Sequence, residues 1–228
     1  MTDSQTILYA FLGGILPALL WLAFWLREDT KRPEPKGRIA ETFLAGMFAV
    51  LLVLPFQKMV AGVFPGLGFV PFLLWAFIEE IFKFGAAYAI ALRSQDDDEP
   101  VDSIIYMITA ALGFVALENT LFIWNPLFEN NVSVALLTGG TRFLGASLLH
   151  LLTSGAIGIA LAFSFYKSKS IKIVYGVIGL VVAIAIHVAF NLLILSKFGT
   201  SSFSVFAVVW IGIACLLLFF EKVKTIAS

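Results

Sequence analysis

Ionisable and amide side chains recur in four successive hydrophobic runs of this sequence, where such groups are rare. The only two histidines, His150 and His187, lie in such runs, together with three glutamates and an arginine. On insertion scales, a charged group at the centre of a span costs about 2.5–3.5 kcal/mol, so it usually has a partner or lines a polar cavity. These residue types can activate water, stabilise an oxyanion or hold a metal ion. The candidate site residues are Glu79, Glu80, Lys83, Glu118, Asn119, Arg142, His150, His187 and Asn191.

The first of the four runs carries two adjacent glutamates, Glu79 and Glu80, followed by Lys83. Lys83 is three and four residues beyond them, so on a helix it can pair with either carboxylate. The two glutamates point about 100° apart on a helix, and only one of them need face a shared cavity. The group could therefore supply a general base, or it could form a structural ion pair.

The next three runs add residues of complementary chemistry. They are Glu118 with Asn119, Arg142 with His150, and His187 with Asn191. The last pair is four residues apart, so both side chains share one helix face and can donate hydrogen bonds to an oxyanion. Two imidazoles and one carboxylate, such as Glu79, also form a common set of Zn²⁺ ligands. The residues alone leave both chemistries open, whereas Ser147 and Ser154 lack the G-x-S-x-G context of a serine nucleophile.

The composition is that of a membrane protein, with 60% hydrophobic and 13% charged residues and a mean hydropathy of +0.97. Seven apolar runs are each close to the length that a helix needs to cross a bilayer. We expect an all-α bundle of about seven spans forming one domain, 1–228, with its motif-bearing core at about 67–195. A loop is expected at about 125–137. The runs are 6–26, 39–61, 67–92, 102–124, 138–166, 171–195 and 203–220.

Lysine and arginine residues are distributed unevenly between the two sets of loops. Eleven lie on one side, against Lys58 and Lys197 on the other, which predicts an outside N-terminus and a cytoplasmic C-terminus. Counting along the spans at about 1.5 Å per residue places the two histidines, Glu79 and Glu118 on the order of 10–16 Å below the outer surface. The eleven are Arg27, Lys31, Arg32, Lys36, Arg38, Arg93, Lys167, Lys169, Lys172, Lys222 and Lys224.

The composition also limits the classes of partner. The formal net charge is zero and there is no basic stripe of the kind that phosphate backbones require, so we expect no nucleic acid. A single cysteine, Cys215, excludes an intrachain disulfide and a multi-cysteine metal site. We expect a multi-pass protein of the cell membrane whose partners are the lipid bilayer and molecules that are embedded in the membrane or lie next to it.

Taken together, the four blocks resemble the signature of the PrsW family of intramembrane proteases, which is related to the CAAX prenyl protease and bacteriocin-processing superfamily. The blocks run in order from the third to the sixth predicted helix, over half the chain. The CAAX relatives usually have Arg four residues after the second glutamate. Here Lys83 follows at three, with Phe84 in the next place. This agrees with PrsW-type members and argues against direct CAAX processing.

The resemblance implies an endopeptidase that cleaves a membrane-anchored protein, such as an anti-sigma factor, near the outer face. It implies that Glu79 or Glu80 activates water with His150, while His187 and Asn191 hold the oxyanion. Such proteases are described both as metal-dependent and, through the prenyl-protease relatives, as glutamate proteases. The cofactor is therefore either none or a divalent metal such as zinc, held by His150, His187 and Glu79. The supporting residues would be Lys83, Glu118, Asn119 and Arg142.

Two other functions are compatible with histidines in spans. A membrane electron carrier could use His150 and His187 as axial haem ligands, although this leaves the glutamates and Asn191 unexplained. A proton-coupled transporter could use a glutamate and histidine relay. Transporters commonly contain an internal repeat, but no repeat relates the two halves of this sequence.

Overall fold

The computed structural model describes residues 2–29, 32–195 and 202–226, with the backbone alone at 195 and 202–204. Within these ranges the chain is helical and contains no strand. Helices α5 and α6 are interrupted only at Gly145 and together make one pass, so the described ranges form seven passes, as predicted. The helices are α1 (Asp3–Glu28), α2 (Lys36–Val63), α3 (Phe69–Ala87), α4 (Pro100–Phe128), α5 (Val132–Leu144), α6 (Ala146–Phe163), α7 (Lys169–Leu195) and α8 (Ser202–Val223).

Six of the seven passes in the described ranges are long and apolar enough to cross a membrane. The remaining pass, α3, has 19 residues, and it contains the charged residues Glu79, Glu80 and Lys83. The charged residues that make α3 less apolar than a typical span are therefore candidate site residues. These features confirm a multi-pass, all-α membrane protein.

Helix α4 is the centre of the bundle, and its residues are buried along most of its length. Two neighbouring helices approach its backbone closely through glycines. A Cβ atom at Gly46 of α2 would collide with the Ala110 carbonyl of α4, and one at Gly158 of α6 would lie only 2.6 Å from Cα of Ile104. Small residues permit such close helix packing in membranes. The packing fixes the position of α4, which carries Glu118 and Asn119.

The loop expected at 125–137 is wrong. Helix α4 continues through Pro126, and α5 begins at Val132, so the connection has only three residues, 129–131. Pro126 lies in the last turn of α4, where it removes a single backbone donor and does not end the helix. Asn131 then caps α5 by accepting a hydrogen bond from the backbone N–H of Val134 at 3.2 Å. The predicted run 138–166 is interrupted at Gly145, which separates α5 from α6.

Nearly all the loops with basic residues lie at one end of the bundle, which we call the basic end. Contacts between loops and helix termini hold this end together, such as Arg38 Nε to Asp96 Oδ2 at 2.6 Å and Lys224 Nζ to Glu28 Oε2 at 3.5 Å. The basic residues predicted to face the cytoplasm lie here, except Lys31, which is outside the described residues, as is Lys197 of the other set. Which end faces the cytoplasm stays a prediction.

Carboxyl groups in the loops of the basic end are partly withdrawn from water. The Tyr106 hydroxyl of α4 donates a hydrogen bond to Glu34. Burial, together with the neighbouring Asp102, raises the pKa of Glu34 to about 9. Burial also raises the pKa of Asp97 to about 7 and that of Asp29 to about 6. These groups make the stability of this end sensitive to pH.

Candidate active site

A cavity of about 1030 Å³ opens among helices α2 to α8, toward the end of the bundle opposite the basic end. Six of the nine predicted site residues line it, and they come from five different helices. The other three, Glu80, Lys83 and Asn119, lie behind them in the protein interior. Helix packing thus brings the four sequence blocks together. The six are Glu79, Glu118, Arg142, His150, His187 and Asn191.

The two adjacent glutamates of α3 occupy different environments. Glu79 lines the cavity, whereas Glu80 has a completely buried side chain. Lys83, which is also completely buried, donates a hydrogen bond to Glu80 Oε1 at 2.7 Å. The angular separation of neighbouring helical residues explains the division. One glutamate faces the cavity, and the other neutralises the lysine.

His187 of α7 is oriented by Glu80, since its Nδ1 lies 2.7 Å from Glu80 Oε1. Because a carboxylate only accepts hydrogen bonds, Nδ1 carries a hydrogen, and in a neutral imidazole Nε2 is then the acceptor. Nε2 lies 3.7 Å from Oε2 of Glu79. That oxygen accepts no hydrogen bond from any residue the structure describes. Two proton acceptors therefore face each other at the cavity.

His150 of α6 has the opposite arrangement. Its Nδ1 lies 2.9 Å from Nζ of Lys83, and an ammonium group can only donate, so Nδ1 accepts and Nε2 carries the hydrogen. Nε2 lies 3.3 Å from Oε2 of Glu118. The two imidazole rings contact each other edge to face, with centroids 5.2 Å apart. His150 thus presents a donor next to the acceptor of His187.

Arg142, near the end of α5, fixes the wall of the cavity formed by α4. Its guanidinium pairs with Glu118, and its Nε donates to Asn119 Oδ1 at 2.5 Å. Asn119 in turn donates to Ser147 Oγ at 3.1 Å, and the guanidinium lies over the Phe122 ring. The predicted supporting residues therefore form one network that neutralises Glu118 and holds α5 on α4.

Gln57 of α2 is a site residue that the sequence analysis missed. Its Nε2 donates to Oε1 of Glu79 at 2.7 Å, and its backbone carbonyl accepts from Trp75 Nε1 at 3.2 Å. Both contacts join α2 to α3 at the cavity wall. The one signal in the sequence is an amide near the end of an apolar run, which is typical of many span ends.

The donor atoms of Glu79, His150 and His187 lie within 4.8 Å of one another, and all three residues are buried. The set fits a divalent metal in ligand type, and the contact of Glu80 with His187 Nδ1 is the usual support for a metal-bound imidazole. Two features have to change on binding. Two Zn–ligand bonds span at most roughly 4.3 Å, so the donors have to move closer. His150 Nε2 also has to lose the hydrogen that the contact with Lys83 leaves on it.

The comparison with known proteins is consistent with this geometry. The model of the PrsW family of intramembrane metalloproteases matches residues 34–218, which include every candidate site residue. The chain belongs to the PrsW family. The match begins just before α2 and ends within α8, so α1 lies outside the matched region.

Curated relatives of this PrsW-family chain are about a quarter identical to it over the aligned residues. A protein named Protease PrsW from Clostridioides difficile is 25% identical over 195 residues, which are 82% of this chain and 80% of the relative. Another, from Geobacillus kaustophilus, is 27% identical over 159 residues, which are 69% of this chain and 65% of the relative. The match thus spans slightly less than two thirds of the second protein. No solved structure matches the PrsW-family chain significantly.

Proposed function

We propose that this PrsW-family protein is an intramembrane endopeptidase in which Glu79 is the general base. One observation carries the proposal. Oε2 of Glu79 has no partner among the described residues, and it faces the lone pair of His187 Nε2 across 3.7 Å. Two acceptors so placed suit a water molecule that donates one hydrogen to each. That water would be held and activated by the same pair.

The proposed reaction begins when Glu79 takes a proton from this water. The resulting hydroxide attacks the carbonyl carbon of the peptide bond, and the C=O bond becomes a single bond with the charge on oxygen. Protonated Glu79 then gives its proton to the leaving nitrogen as the C–N bond breaks. The products are a carboxylic acid and an amine, so one water molecule is consumed and the carboxylate is regenerated.

The oxyanion would be held by N–H donors that line the same cavity, namely Nε2–H of His150 and the side-chain amide of Asn191. At 3.3 Å, the contact of His150 with Glu118 is longer than the usual 2.7–2.9 Å or so of a charge-assisted hydrogen bond. His150 is therefore free to strengthen a bond to the developing charge. This assignment exchanges the roles that the resemblance implied for the two histidines.

A metal-dependent hydrolysis is the second candidate, favoured by the grouping of Glu79, His150 and His187 and by the description of the family as metalloproteases. A divalent ion bound there would activate water and polarise the peptide carbonyl. Element analysis of active protein separates the two candidates. The glutamate mechanism predicts full activity after chelation with no bound metal. The metal-dependent mechanism would be favoured if the wild-type protein holds one metal ion per chain and His187→Ala loses both the metal and the activity.

The haem alternative is not supported by the geometry. The rings of His150 and His187 touch edge to face at 5.2 Å, which leaves no space for a porphyrin between them. The cavity instead suits an extended segment of a protein chain, since it is large and is lined by apolar side chains together with a smaller number of polar groups. We infer that the substrate is a membrane-anchored protein, such as an anti-sigma factor, cut near the outer face.

The test compares proteoliposomes that contain the wild-type protein with ones that contain Glu79→Gln. Single-pass proteins are co-reconstituted, and new chain termini are mapped by mass spectrometry. We expect cuts about two to three helical turns inside the outer end of the substrate span, which matches the predicted depth of the site, and only with the wild-type protein. Identical fragments from both preparations would refute the proposal.

A further inference from the structure

A second cavity, of about 450 Å³, lies at the basic end between α7 and the end of α3. It is separate from the candidate active site, and none of the predicted site residues lines it. Its wall on the α3 side is made by Phe84, Tyr88 and Leu92, and on the α7 side by Val177 and Leu180. Tyr88 and Val177 are half exposed. The cavity is therefore an apolar groove on the side of the bundle.

The end of α3 is irregular where it borders this groove. The five residues Tyr88–Leu92 form a π-helical turn, and the Phe84 and Tyr88 rings stack with centroids 5.8 Å apart. Single π-turns within helices are rare and frequently accompany functional sites. Here the turn carries both Tyr88 and Leu92, so the irregular backbone supplies part of the groove wall.

Two lysines lie at the mouth of the groove. Lys169 and Lys172 are in the first turn of α7 and are three residues apart, so they share one face. Both are exposed, and neither has a carboxylate within 4 Å among the described residues. The N-terminus of α7 adds the positive end of a long helix dipole. The mouth thus carries two lysines above an apolar wall, with Asp97 near enough to interact electrostatically with Lys172.

We propose that this groove binds one anionic glycerophospholipid. The phosphate contacts Lys169, Lys172 and the start of α7, while an acyl chain lies along the apolar wall between α3 and α7. Basic pockets between spans on the cytoplasmic side are typical sites for acidic lipid headgroups. The predicted topology places this groove in the cytoplasmic half of the membrane.

The same cavity contains a polar pair that bears on the headgroup. Asp97 Oδ1 accepts a hydrogen bond from Ser103 Oγ at 3.0 Å, and both residues line the groove. A carboxylate beside the phosphate site favours a headgroup with a hydroxyl that can donate a hydrogen bond to it. It disfavours a headgroup with a second negative charge. We therefore expect phosphatidylglycerol to bind better than phosphatidic acid.

Native mass spectrometry of the purified full-length protein, exchanged into mixed micelles with added lipid, tests the site. We expect one phosphatidylglycerol to be retained in preference to phosphatidylcholine. The double variant Lys169→Gln/Lys172→Gln should weaken its retention by roughly 30-fold, because the attraction of two lysines to an acidic headgroup is lost. The matched control Lys36→Gln/Lys222→Gln removes the same charge at the same end, away from the groove, and should retain the lipid. Equal retention in both double variants would overturn the proposal.

A second variant tests the acyl-chain wall without changing charge. A Cβ at Gly176 would meet only Leu161 Cδ2, at 3.5 Å, so a larger side chain there enters the groove without a clash. Gly176→Leu should abolish phosphatidylglycerol retention, whereas Gly62→Leu, with nothing within 4 Å of its Cβ, should not. Wild-type retention in Gly176→Leu would overturn the acyl-chain placement. Displacement of the lipid by equimolar glycerol phosphate would show an anion site and overturn a lipid site.

Discussion

Nδ1 of His187 lies 2.7 Å from Oε1 of Glu80, across a completely buried contact between α7 and α3. The same carboxylate oxygen accepts from Lys83 at 2.7 Å. Oε1 of Glu80 therefore has two partners, Lys83 and His187, while the adjacent Glu79 lines the cavity. The pair divides into one carboxylate that pairs with Lys83 and His187 in the interior and one that lines the cavity.

Glu80→Gln is expected to destabilise the folded protein, because it leaves the buried ammonium of Lys83 without its counter-charge. Breaking one side of a buried ion pair typically costs about 3–5 kcal/mol. The double variant Glu80→Gln/Lys83→Met removes both charges and should regain most of that loss. The unfolding midpoints of the wild-type protein, the single variant and the double variant are compared in the same detergent. A stable single variant would contradict the assigned role of Glu80.

Gln57→Leu should reduce turnover up to about a hundredfold, since Glu79 loses the donor that holds Oε1 and misplacement of a reacting group is costly. Substrate binding should change little. Lys58→Ala, at the exposed neighbouring position, is the matched control and should retain wild-type turnover. The measurement is kcat and KM for both variants. A rise in KM alone would assign Gln57 to substrate binding and not to the positioning of Glu79.

Asn191→Ala should lower turnover on the order of a hundredfold or more, the usual effect of removing one oxyanion donor. If Asn191 only bridges helices, the change should instead reduce stability by about 1 kcal/mol and preserve the activity of each folded molecule. Single-turnover cleavage and the melting temperature are measured on the same preparations. A destabilised variant that cleaves at the normal rate would refute the oxyanion assignment.

The stability of the protein should fall as pH rises from 5 to 9, in part because of Glu34. Its pKa is raised to about 9 in the folded chain, against about 4.3 when unfolded. Between these values the folded state holds a proton that the unfolded state has lost, so raising the pH lowers the free energy of unfolding. Glu34→Gln should flatten this dependence. Unfolding midpoints across the pH range measure the effect, and an unchanged slope would contradict it.

The sequence predicts the seven passes and the grouping of polar residues for a simple physical reason. Charged groups in apolar helices need partners, so Glu79, Glu118, His150 and His187 had to meet somewhere in the bundle. The sequence could not show whether Glu79 or Glu80 faces the cavity, because this depends on the rotation of α3 relative to α7. Gln57 was missed because its role depends on the neighbouring helix. The start of α5 was missed because Pro126 and the asparagines that follow it indicate a loop, although the helix tolerates Pro126 in its last turn.

The most direct test of the central claim is single-turnover cleavage by Glu79→Gln, measured together with its folding. The amide keeps the size of the side chain and can still accept from Gln57, but it cannot take a proton from water. If Glu79 is the base, the variant has wild-type thermal stability in detergent and shows no detectable cleavage of a substrate that the wild-type protein cuts. A well-folded Glu79→Gln protein that cleaves at a rate close to wild type would contradict the assignment of Glu79 as the base.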